Sequence, residues 1–343
     1  VTASTTLNFA GAGTATITNL NGDAPEAVLT VNRVANGGVN LSTLNLNGPG
    51  TFNGVISLFS NTTAGTQNNF LNLNHALAAQ YATIRLGGHG YATGASVLKA
   101  GVNTSISKLE HNNTAALITG EGTTLTITGD SSSYGGSFGG TVTVDYTGGG
   151  TFTLGNSDKT VALTPAASAD ATLKISSGTL SLFSGNVNWS QKLVMGDGTT
   201  LTVQDGPAVT GYYNYDAASI NGDGFTFSGT TTFGTGVNLT TQYGKNIKFT
   251  GVLTAASGFS ISGADSEYTY YTLAGTENQI GGTIAITRNS TSLGINASGS
   301  LGTAAVTTSS GNQYLTYYGT AGEAADVIDN SVTGAGNFVA QPG

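Results

Sequence analysis

The residues able to make or break bonds come first. Gly135-Gly136-Ser137-Phe138-Gly139 matches the G-x-S-x-G pattern, which sets a nucleophilic serine on a sharp strand-to-helix turn with its histidine further along the chain. All three histidines, His75, His89 and His111, precede Ser137, and no helical pattern follows it. With 52 glycines in the chain, the match reads as a Gly-rich turn. The order His111, Asp130, Ser137 is that of another known triad, but geometry defines such triads and nothing beyond order supports this one. No catalytic residue is assigned, and the chain reads as a non-enzyme.

Three separated histidines and no cysteine do not make a zinc set. Asp197, Asp205 and Asp223 each precede a glycine and carry the oxygen chemistry that calcium takes. There is no EF-hand loop around them, so they read as turn formers and no metal or cofactor is expected. Enzymes that cleave acidic polysaccharides need clustered carboxylates, or cations that hold the anionic sugar. Here the acids are scattered. From Phe249 onward Arg288 is the single base among six acids, which would repel an acidic glycan.

Tyrosine is the richest constellation. Tyr212, Tyr213 and Tyr215, then Tyr268, Tyr270 and Tyr271, then Tyr314, Tyr317 and Tyr318 form three groups. Tyr offers a large area, little entropy loss and a polar tip, so a stacked column of these rings suits contact with a glycan or a second subunit. The structural alternative is an aromatic ladder that stiffens the fold. The groups recur at about twice a coil of roughly 23 residues, which is the spacing a stacked column needs.

The elements that must position these residues are short strands. Thr124-Leu-Thr-Ile-Thr128, Thr141-Val-Thr-Val144, Thr200-Leu-Thr-Val203 and Thr283-Ile-Ala-Ile-Thr287 alternate with period two. That pattern sends one set of side chains inward and the other to water. Asn-Gly steps at Asn21, Asn36, Asn47, Asn53 and Asn221, and Asp-Gly steps at the three aspartates, bracket the strands. Openings of the Gly-Thr type recur at irregular intervals, which predicts coils stacked as a parallel β-solenoid; tandem β-sandwiches are the alternative. A short helix is expected over 71–82, with a weaker candidate over 321–329. Residues 1–119 repeat less clearly than residues 120–343, which places a boundary near Gly120.

Composition excludes several classes. The chain has 343 residues with 55 Thr and 30 Asn, charged residues are 8%, and the net charge is −8. Ten Lys and Arg make no phosphate-tracking patch, so nucleic acid is not a partner. No apolar run is long enough to span a membrane as a helix. Hydrophobic residues at 38% argue against disorder. The start at Val1, with no initiator Met, reads as a mature chain freed of its targeting segment.

Residues 125–144, Leu-Thr-Ile-Thr-Gly-Asp-Ser-Ser-Ser-Tyr-Gly-Gly-Ser-Phe-Gly-Gly-Thr-Val-Thr-Val, resemble the strand repeat of bacterial autotransporter passengers. Ser300-Leu-Gly-Thr-Ala-Ala-Val-Thr-Thr308 looks like the second half of that repeat, with Ala304 where the family often has Gly. The resemblance implies a secreted, right-handed parallel β-helix and carries over no catalytic residue. Autotransporters end in a membrane barrel, and no such barrel is expected within these residues. The expectation is therefore an extracellular or cell-surface structural protein whose partners are copies of itself and surface glycans: a self-assembling fibre or matrix subunit. The alternatives are a released adhesin passenger, a surface-layer lattice protein and a polysaccharide-active β-helix.

Overall fold

The computed structural model describes residues 1–9, 12–34, 41–61, 68–87, 96–111, 116–155, 168–183, 187–205, 224–241, 246–263, 269–319 and 328–342. These residues form parallel β-strands joined by turns, with one short 3-10 turn at Ser298–Leu301. No helix among them is long and apolar enough to cross a membrane. The chain divides into two compact units, Val1–Lys174 and Ile175–Gly343.

In the first unit one strand set runs Thr5–Phe9, Val28–Val34, Val55–Asn61, Ala79–Leu86, Thr104–His111, Thr124–Ile127 and Thr143–Tyr146, each parallel to the next. A second set runs Gly13–Ile17, Leu41–Leu46, Asn68–Leu73, Ser96–Ala100, Ala116–Gly120 and Ser137–Gly140. Ser131–Tyr134 and Thr151–Leu154 pair in a third. The chain thus visits the sets in turn and returns one coil later, which is a β-solenoid. Sandwich sheets are built from antiparallel neighbours, and the uniformly parallel pairing excludes them.

The second unit repeats the plan. One set runs Thr179–Phe183, Thr200–Asp205, Asn238–Thr241, Gly258–Ser262, Thr283–Ile286, Ala305–Thr308 and Val332–Gly334. Another runs Val187–Trp189, Gly224–Phe227, Asn246–Phe249, Thr269–Leu273, Thr291–Ile295, Gln313–Gly319 and Asn337–Pro342. Lys192–Met195, Thr231–Phe233, Leu253–Ala255 and Gln279–Ile280 form the third.

The period-two pattern explains the core. Leu29, Ile56, Ile84 and Leu109 share one inward column, coil upon coil, and all are buried. In the second unit the interior ladder is phenylalanine: Phe227 stacks on Phe249 of the next coil with centroids 5.2 Å apart, and Phe233 meets Phe249 and Phe259 edge-on at 5.7 and 5.3 Å. Offset and edge-to-face rings add to what burial of their area already contributes.

Polar ladders link the coils outside the core. Asn32 donates to Asn8 at 2.9 Å, Asn72 to Asn45 at 2.8 Å and Asn74 to Asn47 at 2.9 Å. The abundant Thr has a second task at strand ends. Thr128, Thr147, Thr287 and Thr303 each offer both the backbone N–H and Oγ1 to one carbonyl of the preceding coil: those of Ile106, Ile127, Ile261 and Ile280.

The segment 71–82 is not the expected helix. It holds the end of Asn68–Leu73, a turn closed by the Ala78 N–H to His75 O bond, and the start of Ala79–Leu86. Leu77 and Tyr81 are exposed there, whereas a helix would need them on its buried stripe. Pairing of Asn68–Leu73 on both edges outweighs the helical preference of Ala and Leu. The candidate over 321–329 lies largely outside the described residues. Gly120 falls within the first unit, where Ala116–Gly120 leads directly into Thr124–Ile127.

Coil spacing makes some glycines obligatory and leaves others free. A Cβ on Gly150 would collide with the Asp130 carbonyl one coil back, whereas one on Gly149 would meet nothing. Gly150→Ala should cost about 2 kcal/mol or more in denaturant unfolding, while Gly149→Ala should change stability by under about 1 kcal/mol.

Three buried tyrosines set the alkaline limit. Tyr134 donates to Ser137 O, Tyr146 to Asp130 O and Tyr271 to Ser262 O, each at 2.7 Å. Burial raises all three above the ordinary tyrosine value, and at Tyr146 the charge of Asp130 adds to it. The neutral phenol is therefore favoured by folding. That stability is intact below pH about 10 and declines above it, where the unfolded chain ionises first. In an alkaline titration, tyrosinate absorbance from these residues should rise only together with loss of β circular dichroism.

Candidate functional site

In a solenoid the inward side chains are consumed by packing, so any working site must sit on the outer faces. In the first unit the long strand Thr104–His111 pairs at its start with Thr124–Ile127. Its second half places Lys108 and Glu110 outward. One coil earlier, Ala79–Leu86 sets Arg85 opposite Glu110 in register. Arg85 grips one carboxylate oxygen, Oε2, through Nε at 2.9 Å and Nη2 at 2.8 Å, and Lys108 Nζ reaches Oε1 at 3.0 Å. Burial alone would raise the Glu110 carboxyl, but the hydrogen bonds and charges of Arg85 and Lys108 outweigh it and hold the group below its ordinary value.

The next coils supply hydroxyls. Ser131 pairs with Thr151 and Ser133 with Thr153, and these outward residues line one groove of about 410 Å³ with Lys108 and Glu110. Ser132 points inward and fixes the floor, its Oγ accepting the Leu109 N–H at 3.1 Å. Beneath lie His111, whose Nδ1 accepts the Gly135 N–H at 3.2 Å, and Tyr134, whose ring lies 5.5 Å from that of His111. His111 is thus an interior ring, and Ser137 opens a parallel strand rather than a helix.

The second unit carries a related groove of about 600 Å³ on the outer face of its first strand set. Thr202, Thr240 and Ser262 hold matching positions on successive coils, and Asn238, Thr287 and Arg288 complete the lining. Ser260 Oγ donates to Asn238 Oδ1 at 2.7 Å. Ser290, two residues past Arg288, holds a left-handed conformation at φ 58°.

The tyrosines separate by face. Tyr270 and Tyr314 share one outward column with Ser292 between them, and both are half-buried. Ser292 is buried and bonds Thr316 Oγ1 at 3.2 Å. Gly294 leaves space that Tyr318 fills, since a Cβ there would lie 3.0 Å from that ring. Tyr271 belongs to the core, aligned with Leu293 and Leu315, and Tyr317 aligns with Ile295. Tyr212, Tyr213, Tyr215 and Tyr268 lie outside the described residues. Asp197 works as a turn link, its Oδ1 accepting the Thr235 N–H at 2.7 Å. Among the described residues no three His, Cys, Asp or Glu side chains gather in one place.

Sequence reasoning missed the Arg85–Glu110–Lys108 cluster. Lys108-Leu109-Glu110 did announce two opposite charges on one strand face in a chain nearly devoid of charge. Only the coil register brings Arg85 beside them. Comparison with protein-family models, with curated proteins and with solved structures finds no match.

A depressed carboxyl contributes stability that is present above its unfolded value and lost as pH falls through the folded one. Glu110→Gln should therefore lower stability at neutral pH by about 1 kcal/mol, and the difference from the parent should start to shrink as pH falls below about 4 and disappear only below the depressed folded value, as followed by thermal melts.

Proposed function

We propose that this chain is an extracellular structural protein of a bacterial surface, a subunit of a self-assembling fibre or matrix that adheres through its outer faces. The observation that carries the reading is apolar surface held exposed on a stack of parallel strands. Val332–Gly334 is exposed at every residue, and Val332 and Phe338 hold large apolar surfaces in water. Exposed apolar surface of this kind favours contact with a second copy, and heterologous contacts that do not close generate an open filament. The low charge supports the same reading, because few repulsions oppose self-association. The resemblance to autotransporter passengers supports a secreted protein.

A second reading, the released adhesin passenger, draws on the two hydroxyl-lined grooves. Each would work in a single molecule without assembly.

Electron microscopy of the purified chain at physiological salt should show threads. Charging this surface with Val332→Glu and Phe338→Glu should abolish them while β circular dichroism is retained. Dispersed single particles in the parent protein would sink the fibre reading and leave the adhesin. Replacing Tyr270 and Tyr314 together by Ser separates two roles. Loss of folding marks the rings as a cover over Ser292, whereas intact folding with lost adhesion or assembly marks them as a contact strip.

A further inference from the structure

We propose that the Glu110 groove of the first unit binds neutral oligosaccharide chains, an inference that rests on the adhesive reading above and names its ligand. Four features point there. The groove is open to solvent rather than a closed pocket, which suits part of a chain more than an enclosed small molecule. Its walls carry Ser131, Ser133, Thr151 and Thr153, which both donate and accept, as sugar hydroxyls do. At its centre the Glu110 carboxylate is held from both sides by Arg85 and Lys108, so its remaining lone pairs have a fixed direction. A carboxylate held in this way is a strong acceptor for a vicinal diol and loses no rotamer freedom on binding.

The fourth feature is spacing. Within the groove Ser131 is matched by Thr151 and Ser133 by Thr153 on the next coil, so its hydroxyls repeat at the coil spacing. Coils lie ~4.8 Å apart, close to the length of one pyranose unit, so a sugar chain running across the coils meets a polar side chain at each ring.

Charge selects a neutral ligand. Both cations are turned onto Glu110, which leaves the cluster one net positive charge, and exposed Asp130 heads the adjoining strand. A carboxylated or sulfated glycan would find no free cation pair and would face two acids.

The experiment is calorimetric titration of the whole chain with cellohexaose, chitohexaose and mannohexaose, with hexagalacturonate as the acidic comparison. At least one neutral hexamer should bind with a millimolar or tighter constant. Glu110→Gln should weaken it at least about tenfold, and Thr151→Val or Thr153→Val should weaken it to a smaller degree. Circular dichroism checks each variant, and if Glu110→Gln does not fold, Lys108→Met takes its place. The proposal is overturned if no neutral hexamer binds, if folded Glu110 and Lys108 variants bind as the parent does, or if only hexagalacturonate binds and salt removes it. Threads without sugar binding would remove this inference alone. Sugar binding without threads would remove the fibre and leave the groove.

Discussion

The hydrogen bond between one coil and the next is the constraint on which everything else depends. Among the described residues, every paired strand runs parallel to its neighbour in the adjoining coil. A parallel strand left alone carries a row of unsatisfied N–H and C=O groups, so no coil is stable without a neighbour. The molecule reinforces this interaction repeatedly. Where a strand ends, a threonine gives both its N–H and its hydroxyl to one carbonyl of the previous coil, as at Thr128 and Thr147. Where a turn begins, asparagines pair amide to amide, as at Asn47 and Asn74. A composition rich in Thr and Asn is thus the consequence of linking coils outside the core.

The same constraint shapes function. Fixed coil spacing turns a periodic sequence into a periodic surface, so side chains far apart in the chain meet at set distances. Arg85 and Glu110 are 25 residues apart and share a carboxylate. Exposed apolar strand residues and hydroxyl-lined grooves are the two surfaces on which the readings above rest. The proposed assembly uses the first, and the proposed recognition of glycans uses the second. The rigidity that holds Glu110 comes from the packed coil beneath it, where Ser132 ties the strand Thr104–His111 to the next.

Much of the fold was legible because period-two alternation is local. Thr124-Leu-Thr-Ile-Thr128 reads as a strand in isolation, and the structure places Leu125 and Ile127 inside it. The failure at 71–82 was equally local: Asn74-His75 is a turn, but Ala-rich neighbours look helical until their pairing partners are known. The tyrosine groups show a subtler limit. Periodicity suggested alignment, and Tyr270 and Tyr314 do share a column, yet Ser292 stands between them and Tyr271 turns inward. Neighbouring residues on a strand point to opposite faces, so a Tyr-Tyr pair divides itself between core and surface.

The sequence by itself determined that the chain is β, which residues face inward, and that the surface is nearly uncharged, because all three follow from residue type and alternation along a few residues. Tertiary structure alone decided which coil lies on which, and therefore which polar residues meet. The separation across adjoining coils varies from 19 residues, between Thr124 and Thr143, to 38, between Thr200 and Asn238. No fixed period in the sequence encodes that register; backbone pairing across the stack sets it.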